Sequence, residues 1–454
     1  MLKYLKFKNF RSYYEETILS MEVRDAREKK NCFSLHPSIA SESLYKTMMV
    51  TGFNAAGKSN LLRVLNYIEF LVTYQASSKS TRNVFTIADE SFRFIDGALN
   101  EPREFEVGVI EDDVYFEYSF KISKTEVLEE CLKCREKSDK SERLQKIRTL
   151  FRRDKTGLIE SVDGFDKLAF FGVSNDTLFI SKCAARGFNV ENCPLGCKFV
   201  NWFNRYDYAV APDFSILKNR DSSAYNNILN FIRKTDKSLK RIEVKETKLE
   251  IPVELEDNHQ EVMKALRENK LSFGAFLVKM EDGLYAIDLD FVYDKYSSNN
   301  GKAVDEITES VFSGKLASMG QRRLISLLIR VAVALEEGWV LIEDELDDSL
   351  HHSFPKFILD LFNSEKHNPN NAQLIFSSHK ANLLDTNHSG LSKSQMLLVK
   401  KDKYGISRLS HFQKYGKPVK SDLVLSRYYL SDNFDSDTTL PLEEYLIPNI
   451  KNDK

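Results

Sequence analysis

The chain has 454 residues, 42% of them hydrophobic and 29% charged, enough for a large core shared among two or three domains and ordinary for a globular protein. Its 65 Lys and Arg face 67 Asp and Glu, a formal net charge of -2, so the total argues neither for nor against nucleic acid. No apolar run reaches the roughly 20 residues that cross a bilayer. The start MLKYLKFKNFRSYYEE interleaves basic and apolar residues where a signal peptide has a continuous apolar core, which predicts a cytoplasmic protein with no membrane partner.

In chain order, Tyr4, Phe7, Phe10 and Ile18 around the polar turn Arg11-Ser12 predict an antiparallel start over 1–20, followed by a polar, loop-like stretch over 21–43. Thr47-Met48-Met49-Val50 is a short apolar strand that runs into a Gly-rich loop, and 58–74 continue with helical periodicity. Two β-rich runs over 103–122 meet at the acidic turn Glu111-Asp112-Asp113, a hairpin pattern. The charged stretch 125–150 has helix-forming composition, and 175–270 reads as mainly helical around a polar segment near 211–224. Two further strands flank Glu281-Asp282-Gly283, the span 315–390 alternates helix and strand, and the tail beyond about 430 is acidic and polar.

These elements predict an α/β fold with a mostly parallel central sheet, N-terminal antiparallel β elements and a helical insertion. The expected organisation is an N-terminal part of a nucleotide-binding core over 1–125, a mainly helical insertion over 126–270, the C-terminal part of the core over 271–410 and an extension over 411–454. Cysteines stand at 32, 131, 134, 183, 193 and 197; the stretch EVLEECLKCREKSDK around Cys131 and Cys134 is helix-like and lacks the turns of a zinc knuckle, so structural or free thiols are expected there.

The strongest motif is Gly52-Phe53-Asn54-Ala55-Ala56-Gly57-Lys58-Ser59, a full match to G-x-x-x-x-G-K-[ST] between a strand and a helix. Its glycines let backbone N–H groups turn around phosphate oxygens, and the following helix, entered through Ser59 and Asn60, adds its N-terminal partial positive charge. Lys58 is expected on the β- and γ-phosphates of ATP, and Ser59 on Mg²⁺. A buried strand Val340-Leu341-Ile342 ends in Glu343-Asp344-Glu345: Asp344 is placed for the Mg²⁺ shell and Glu345 to polarise the attacking water. Glu343 points the same way as Glu345 along a strand, and either shares the site or ends the strand.

Between the two lies Ala317-Ser318-Met319-Gly320-Gln321 at the start of an apolar helix, a second candidate anion site one helix, one turn and one strand before Asp344. Leu374-Ile375-Phe376-Ser377-Ser378-His379 is a short strand ending in a polar turn with a single His, and Asp347-Asp348-Ser349-Leu350-His351 follows the carboxylates.

Together these motifs resemble the ABC-type ATPases related to SMC and RecF. More narrowly, the chain resembles the stand-alone AAA ATPases of bacterial abortive-infection and antiphage operons, relatives of the ATPase half of the OLD (overcoming lysogenization defect) nucleases. The narrower match rests on KNFRSY at 8–13, GFNAAGKSNLL at 52–62, LFISKCA at 178–184, SMGQRRLISLL at 318–328, DELDDSLHHSF at 344–354 and FSSHKANLLD at 376–385. The signature departs from the usual L-S-G-G-Q: Ala317 replaces Leu and Met319 the first Gly, while Ser318, Gly320 and Gln321 match.

The resemblance implies a P-loop NTPase with an ABC-type head and a homodimer or higher homo-oligomer built head to tail. Ser318, Gly320 and Gln321 of one copy would cap the nucleotide held by Lys58 of another, His379 would be the switch histidine at the γ-phosphate, Asp347–His351 the D-loop, and Arg11 a neighbour of the nucleotide. OLD nucleases append a Toprim domain, for which the stretch after His379 is short, and Asp432, Asp435 and Asp437 read as a solvated acidic tail, so any nuclease is expected on a separate protein.

The function expected is Mg²⁺-dependent ATP hydrolysis by the sensor or regulatory subunit of an antiphage system, controlling a separate effector such as a nuclease or toxin. The alternative is a RecF-like repair ATPase that clamps on DNA; a third reading is a scaffold that turns ATP over slowly. Nucleic acid stays open as a partner: the basic run Arg148, Arg152, Arg153 and Lys155 suits phosphate backbone, an acidic partner or solvent.

Overall fold

The computed structural model of the protein describes residues 1–23, 31–74, 83–138, 140, 142–169, 172, 174–185, 190–208, 214–234, 236–251, 262, 264–265, 268, 276–280, 283–299, 302–312, 319–348, 350–351 and 353–411. Packing divides them into two units: Met1–Arg205 with Ile342–Asp347 and His352–Lys454, and Tyr206–Leu341 with Asp348–His351. Ser318 and the acidic tail expected beyond 430 lie outside the described residues.

The first unit contains two large sheets and the short pair Cys32–Phe33 with Leu44–Tyr45. One is antiparallel, in the order Gly157–Ser161, Arg148–Asp154, Val127–Glu136, Val114–Ile122, Arg103–Glu111, Leu2–Lys8, Thr17–Ser20. The expected antiparallel start and the 103–122 hairpin are both present. Asp112 and Asp113 have φ of 42° and 63° between the paired Glu111 and Val114, the left-handed pair that a two-residue hairpin turn requires.

In the other sheet Thr47–Thr51 lies parallel to Gln373–Ser377 on one side and to Met396–Lys401 on the other, with Ser407–His411 antiparallel at the edge. The Ile342–Glu343 end of the strand Val340–Glu343 follows Gln373–Ser377. Thr47–Thr51 is buried throughout, as a strand covered on both faces must be.

Buried Gln373 links the sheets: its Oε1 accepts the Leu2 N–H at 2.7 Å and its Nε2 donates to the carbonyls of Leu2 (3.0 Å) and Tyr45 (3.2 Å). An aromatic cluster then seats the N-terminal turn. Phe10 packs 5.1 Å from Tyr67 of the helix Lys58–Thr73 and 5.9 Å from Phe105 of the antiparallel sheet. Asn60, near the start of that helix, hydrogen-bonds both Arg11 and Ser12 and fixes the turn there.

The helical reading of 125–150 is corrected. Val127–Glu136 and Arg148–Asp154 are strands, with Glu130, Leu132 and Cys134 buried at every second position and Lys133 and Arg135 on the wetter face. The high charge of this stretch is one solvated face of a strand of period two, where helix-forming composition suggested a helix. The span 126–270 carries the expected helices Pro194–Trp202 and Ser223–Arg233, but the strands Val127–Glu136, Arg148–Asp154, Gly157–Ser161 and Leu239–Lys248 make it mixed where it was expected to be mainly helical.

One member of the basic run is corrected, while Arg148, Arg152 and Lys155 are exposed. Arg153 is buried, its Nε donating to Glu130 at 2.7 Å and its two NH groups to the carbonyls of Ser174 and Thr177. Arg148 is paired with Glu136 and Asp163.

The second unit is an antiparallel sheet centred on the long strand Gly283–Asn299, which pairs with Leu239–Lys248, Phe276–Met280 and Lys302–Phe312. The helices Ser223–Arg233 and Met319–Glu337 pack in the same unit, and Arg330 on the latter makes a buried 2.7 Å ion pair with Asp207. Among the described residues no helix is long and apolar enough to cross a membrane.

Candidate nucleotide site

The loop between the strand Thr47–Thr51 and the helix Lys58–Thr73 curls because Gly52, Ala55 and Gly57 have φ of 152°, 62° and 114°. Two of these positions demand glycine twice over. A Cβ at Gly52 would stand 2.3 Å from the Val399 carbonyl oxygen, and one at Gly57 2.4 Å from Ser407 Oγ and 2.8 Å from Ser12 Oγ. Gly57 is also the helix N-cap and provides no side-chain cap, and no acidic residue occupies the first turn, so the amides there remain directed at an external acceptor.

Lys58 Nζ donates to the carbonyls of Gly52 (2.9 Å) and Phe53 (3.0 Å), which hold the ammonium inside the curve of the loop. Burial pushes the Lys58 ammonium below the usual lysine value, while the charges of Asp344, Glu345 and Asp347 act the other way.

The carboxylates arrive from Ile342–Asp347. Ser377, at the end of the neighbouring strand, donates its hydroxyl to Asp344 Oδ1 at 2.6 Å and accepts the Glu345 N–H at 2.7 Å, while its carbonyl accepts the Leu346 N–H at 3.0 Å. Glu345 has φ 55°, a left-handed backbone unusual for a non-glycine residue, and these two amide contacts hold it there. Its Oε1 lies 3.5 Å from His379 Nε2.

A cavity of about 480 Å³ results, lined by Asn54, Ala55, Gly57, Lys58, Ser59, Asn60, Glu345, His379 and Lys401. Eight of these nine residues are candidates from the sequence, drawn from three separated segments. Ala56 is buried beneath the loop, and Asp344 reaches the site through Ser377 and its effect on Lys58. Glu343 is buried at the strand end and does not line the cavity.

Arg11 pairs with Glu90 at 2.8 Å and reaches the cavity through Asn60, whose Oδ1 accepts from it at 3.4 Å. Gly320 and Gln321 open the helix Met319–Glu337 of the second unit, where Gln321 hydrogen-bonds Tyr293.

Four contributors went unassigned in the sequence. Lys401 ends the strand Met396–Lys401 beside the loop. Ser12 and Ser407 stack against Gly57, with Ser407 Oγ donating to the Ala56 carbonyl at 2.6 Å and Asn60 Nδ2 to Ser12 Oγ at 2.9 Å. Ser377 sits inside a recognised motif, and a polar residue closing an apolar strand next to the carboxylate strand was its available signal.

The loop amides, the helix N-terminus and Lys58 fit a polyphosphate, and the Ser59 hydroxyl lines the same cavity.

No curated protein sequence matches the chain. Among solved structures it is similar to the SMC head domain from Thermotoga maritima, at 13% identity and TM-score 0.36, covering 90% of this chain and 98% of that one. It is similar also to the Smc head domain with an extended coiled coil bound to the C-terminal domain of ScpA from Pyrococcus furiosus, at 11% identity and TM-score 0.37, covering 90% and 95%. A third is the Smc head domain with a coiled coil and joint from Pyrococcus yayanosii, at 10% identity and TM-score 0.41, covering 95% and 99%. The family model described as "AAA domain, putative AbiEii toxin, Type IV TA system" matches residues 48–177 and 219–385, which contain the loop, both carboxylates and the histidine. With more than half of its length matched, and the loop, Glu345 and His379 gathered at one cavity, the chain belongs to that AAA P-loop family.

Proposed function

We propose that the chain hydrolyses ATP to ADP and phosphate with Mg²⁺, and that this cycle makes it the sensor or regulatory subunit of an antiphage system that controls a separate effector. The observation that carries the ATPase reading is the cavity that gathers Lys58 and Ser59 with Glu345 and His379. The loop amides and Lys58 bind and orient the β- and γ-phosphates. Glu345, half exposed and held in its left-handed backbone by Ser377, polarises water in line with the γ-phosphate. His379, 3.5 Å from Glu345, contacts the same phosphate and couples its presence to the carboxylate. Ser377 fixes Asp344, and Ser59 and Asp344 would hold Mg²⁺, which would supply charge neutralisation at the phosphates.

In this reading Ser318, Gly320 and Gln321 of a second copy close the site, giving a homodimer or larger homo-oligomer. The defence role is supported by the family's description, which names an abortive-infection protein and a toxin–antitoxin system, both of which imply a paired partner. The test is hydrolysis of Mg-ATP by the purified chain together with its mass in solution with and without nucleotide. Turnover with nucleotide-driven association is expected; absence of hydrolysis in the full chain, with nucleotide bound, would remove the enzyme reading.

A further inference from the structure

Among the described residues that line the nucleotide cavity, Lys58 and Lys401 are the two lysines. The Gly52 and Phe53 carbonyls hold the Lys58 ammonium. Lys401 is exposed, and among the described residues its ammonium has no hydrogen bond or ion pair. Its neighbour Asp402 is engaged elsewhere, with Arg408 and with the amides of Tyr404 and Ile406.

The Lys401 backbone is fixed to the phosphate loop from two sides. Leu398 pairs with Thr51 in the parallel sheet, and the next residue, Val399, comes so close that a Cβ at Gly52 would stand 2.3 Å from its carbonyl oxygen. Lys401 itself pairs with Ser407, whose hydroxyl donates to the Ala56 carbonyl at 2.6 Å and whose amide donates to the Ser12 carbonyl at 2.7 Å. Only the lysine side chain is left to select a partner.

Sheet order decides which partner. Gln373–Ser377, which leads into His379, and beyond it the Ile342–Glu343 end that leads into Glu345 lie on one side of Thr47–Thr51, and Met396–Lys401 lies on the other. The phosphate loop therefore stands between the hydrolytic pair and Lys401. Water polarised by Glu345 bonds through its oxygen to the γ-phosphorus, and its proton passes to Glu345 and from there to the released phosphate. The bond from that phosphorus to the bridging oxygen breaks on the far side, and its electron pair stays on the β-phosphate. The far side is the side of Lys401.

We propose, on the basis of the ATPase reading above, that Lys401 is a second phosphate-binding cation of this site, which contacts the β-phosphate from the side opposite Glu345 and stabilises the negative charge gathering there as ADP leaves. A lysine ammonium is a compact point charge on a flexible stem, suited to follow a phosphate whose charge grows during the reaction. ADP and ATP share the β-phosphate, so both lose the contact when the lysine is removed.

The experiment measures equilibrium binding of fluorescent ADP and ATP analogues to the full chain at one ionic strength, beside turnover at saturating Mg-ATP. Lys401→Gln should weaken ADP and ATP alike by about tenfold or more, the usual weight of a charge-assisted phosphate contact, and lower kcat by about tenfold. Lys401→Arg should recover most of both losses. Lys403→Gln removes the same charge from an exposed residue outside the cavity and should leave both affinities at the wild-type value. Unchanged ADP affinity in Lys401→Gln overturns the proposal. So does a loss confined to ATP, which would put the ammonium at the γ-phosphate, or an equal loss in Lys403→Gln, which would show only the general field of surface charge. The wild type tests the underlying assignment separately: nucleotide binding without turnover removes the enzyme reading while the ADP comparison still decides Lys401, and binding of neither nucleotide removes both.

Discussion

Ser377 and Asp344 are joined by a 2.6 Å hydrogen bond from hydroxyl to carboxylate, and the same hydroxyl accepts the Glu345 amide at 2.7 Å. One side chain therefore orients the expected Mg²⁺ ligand and the expected base together. Ser377→Ala should lower ATP turnover by about 10- to 100-fold, the usual loss when a supporting hydrogen bond behind a metal ligand is removed. Ser377→Thr, which keeps the hydroxyl, should recover part of it. Steady-state hydrolysis over a Mg²⁺ titration reads both, and wild-type rates for the alanine variant would separate Ser377 from the site.

Lys58→Ala removes the ammonium now held by the Gly52 and Phe53 carbonyls. Charge-assisted contacts to phosphate are worth about 1.5–3 kcal/mol each, so nucleotide affinity should fall by roughly tenfold or more and turnover with it. Equilibrium binding of a fluorescent ATP analogue measures the loss. Retained wild-type affinity and turnover would refute the phosphate-loop assignment.

Glu345→Gln preserves shape but cannot act as a base, so it should still bind ATP, accumulate the ATP-bound assembly, and hydrolyse about 10²- to 10⁴-fold more slowly. Single-turnover hydrolysis beside nucleotide binding separates the two effects. Unchanged hydrolysis would remove Glu345 from the role of base.

The composite-site model is tested by mixing Lys58→Ala with Ser318→Arg subunits. The arginine places a bulky cation at a helix start and opposes its dipole, so this variant should lose association and hydrolysis while keeping initial ATP binding. In a mixed dimer one composite site carries both lesions and the other carries neither. Hydrolysis should therefore reappear in the mixture. Heteromers that form without regaining any activity would remove the trans arrangement, as would a monomer hydrolysing at full rate at every dilution.

Stability rests on a different pair. Glu130 and Arg153 are both fully buried, and Glu130 also accepts from Tyr118 Oη and the amides of Phe179 and Ile180. Arg153→Met leaves a carboxylate without its cation in the interior and should cost about 3–5 kcal/mol in urea unfolding, with nucleotide affinity preserved in the folded fraction. A loss under about 1 kcal/mol would show that the amide and phenol donors satisfy Glu130 without the cation.

The sequence by itself determined those features whose atoms are neighbours along the chain. The strand, loop and helix over 47–73 form one local unit: glycine conformation and helix ends depend on adjacent residues, so the loop and the place of Lys58 and Ser59 were legible. The same holds for the hairpin at Asp112-Asp113 and for the strands Val340–Glu343 and Gln373–Ser377 that lead into Glu345 and His379. Tertiary structure alone decided which face of Val127–Glu136 is buried, because Glu130 enters the core only with Arg153 waiting on the paired strand. It alone brought Ser12, Lys401 and Ser407 to the loop and Ser377 to the carboxylates, since their partners lie up to hundreds of positions away, as the 395-residue separation of Ser12 and Ser407 shows. Local propensity and periodicity carry no information about such pairings; they are set by sheet order and by which buried polar groups find partners across it.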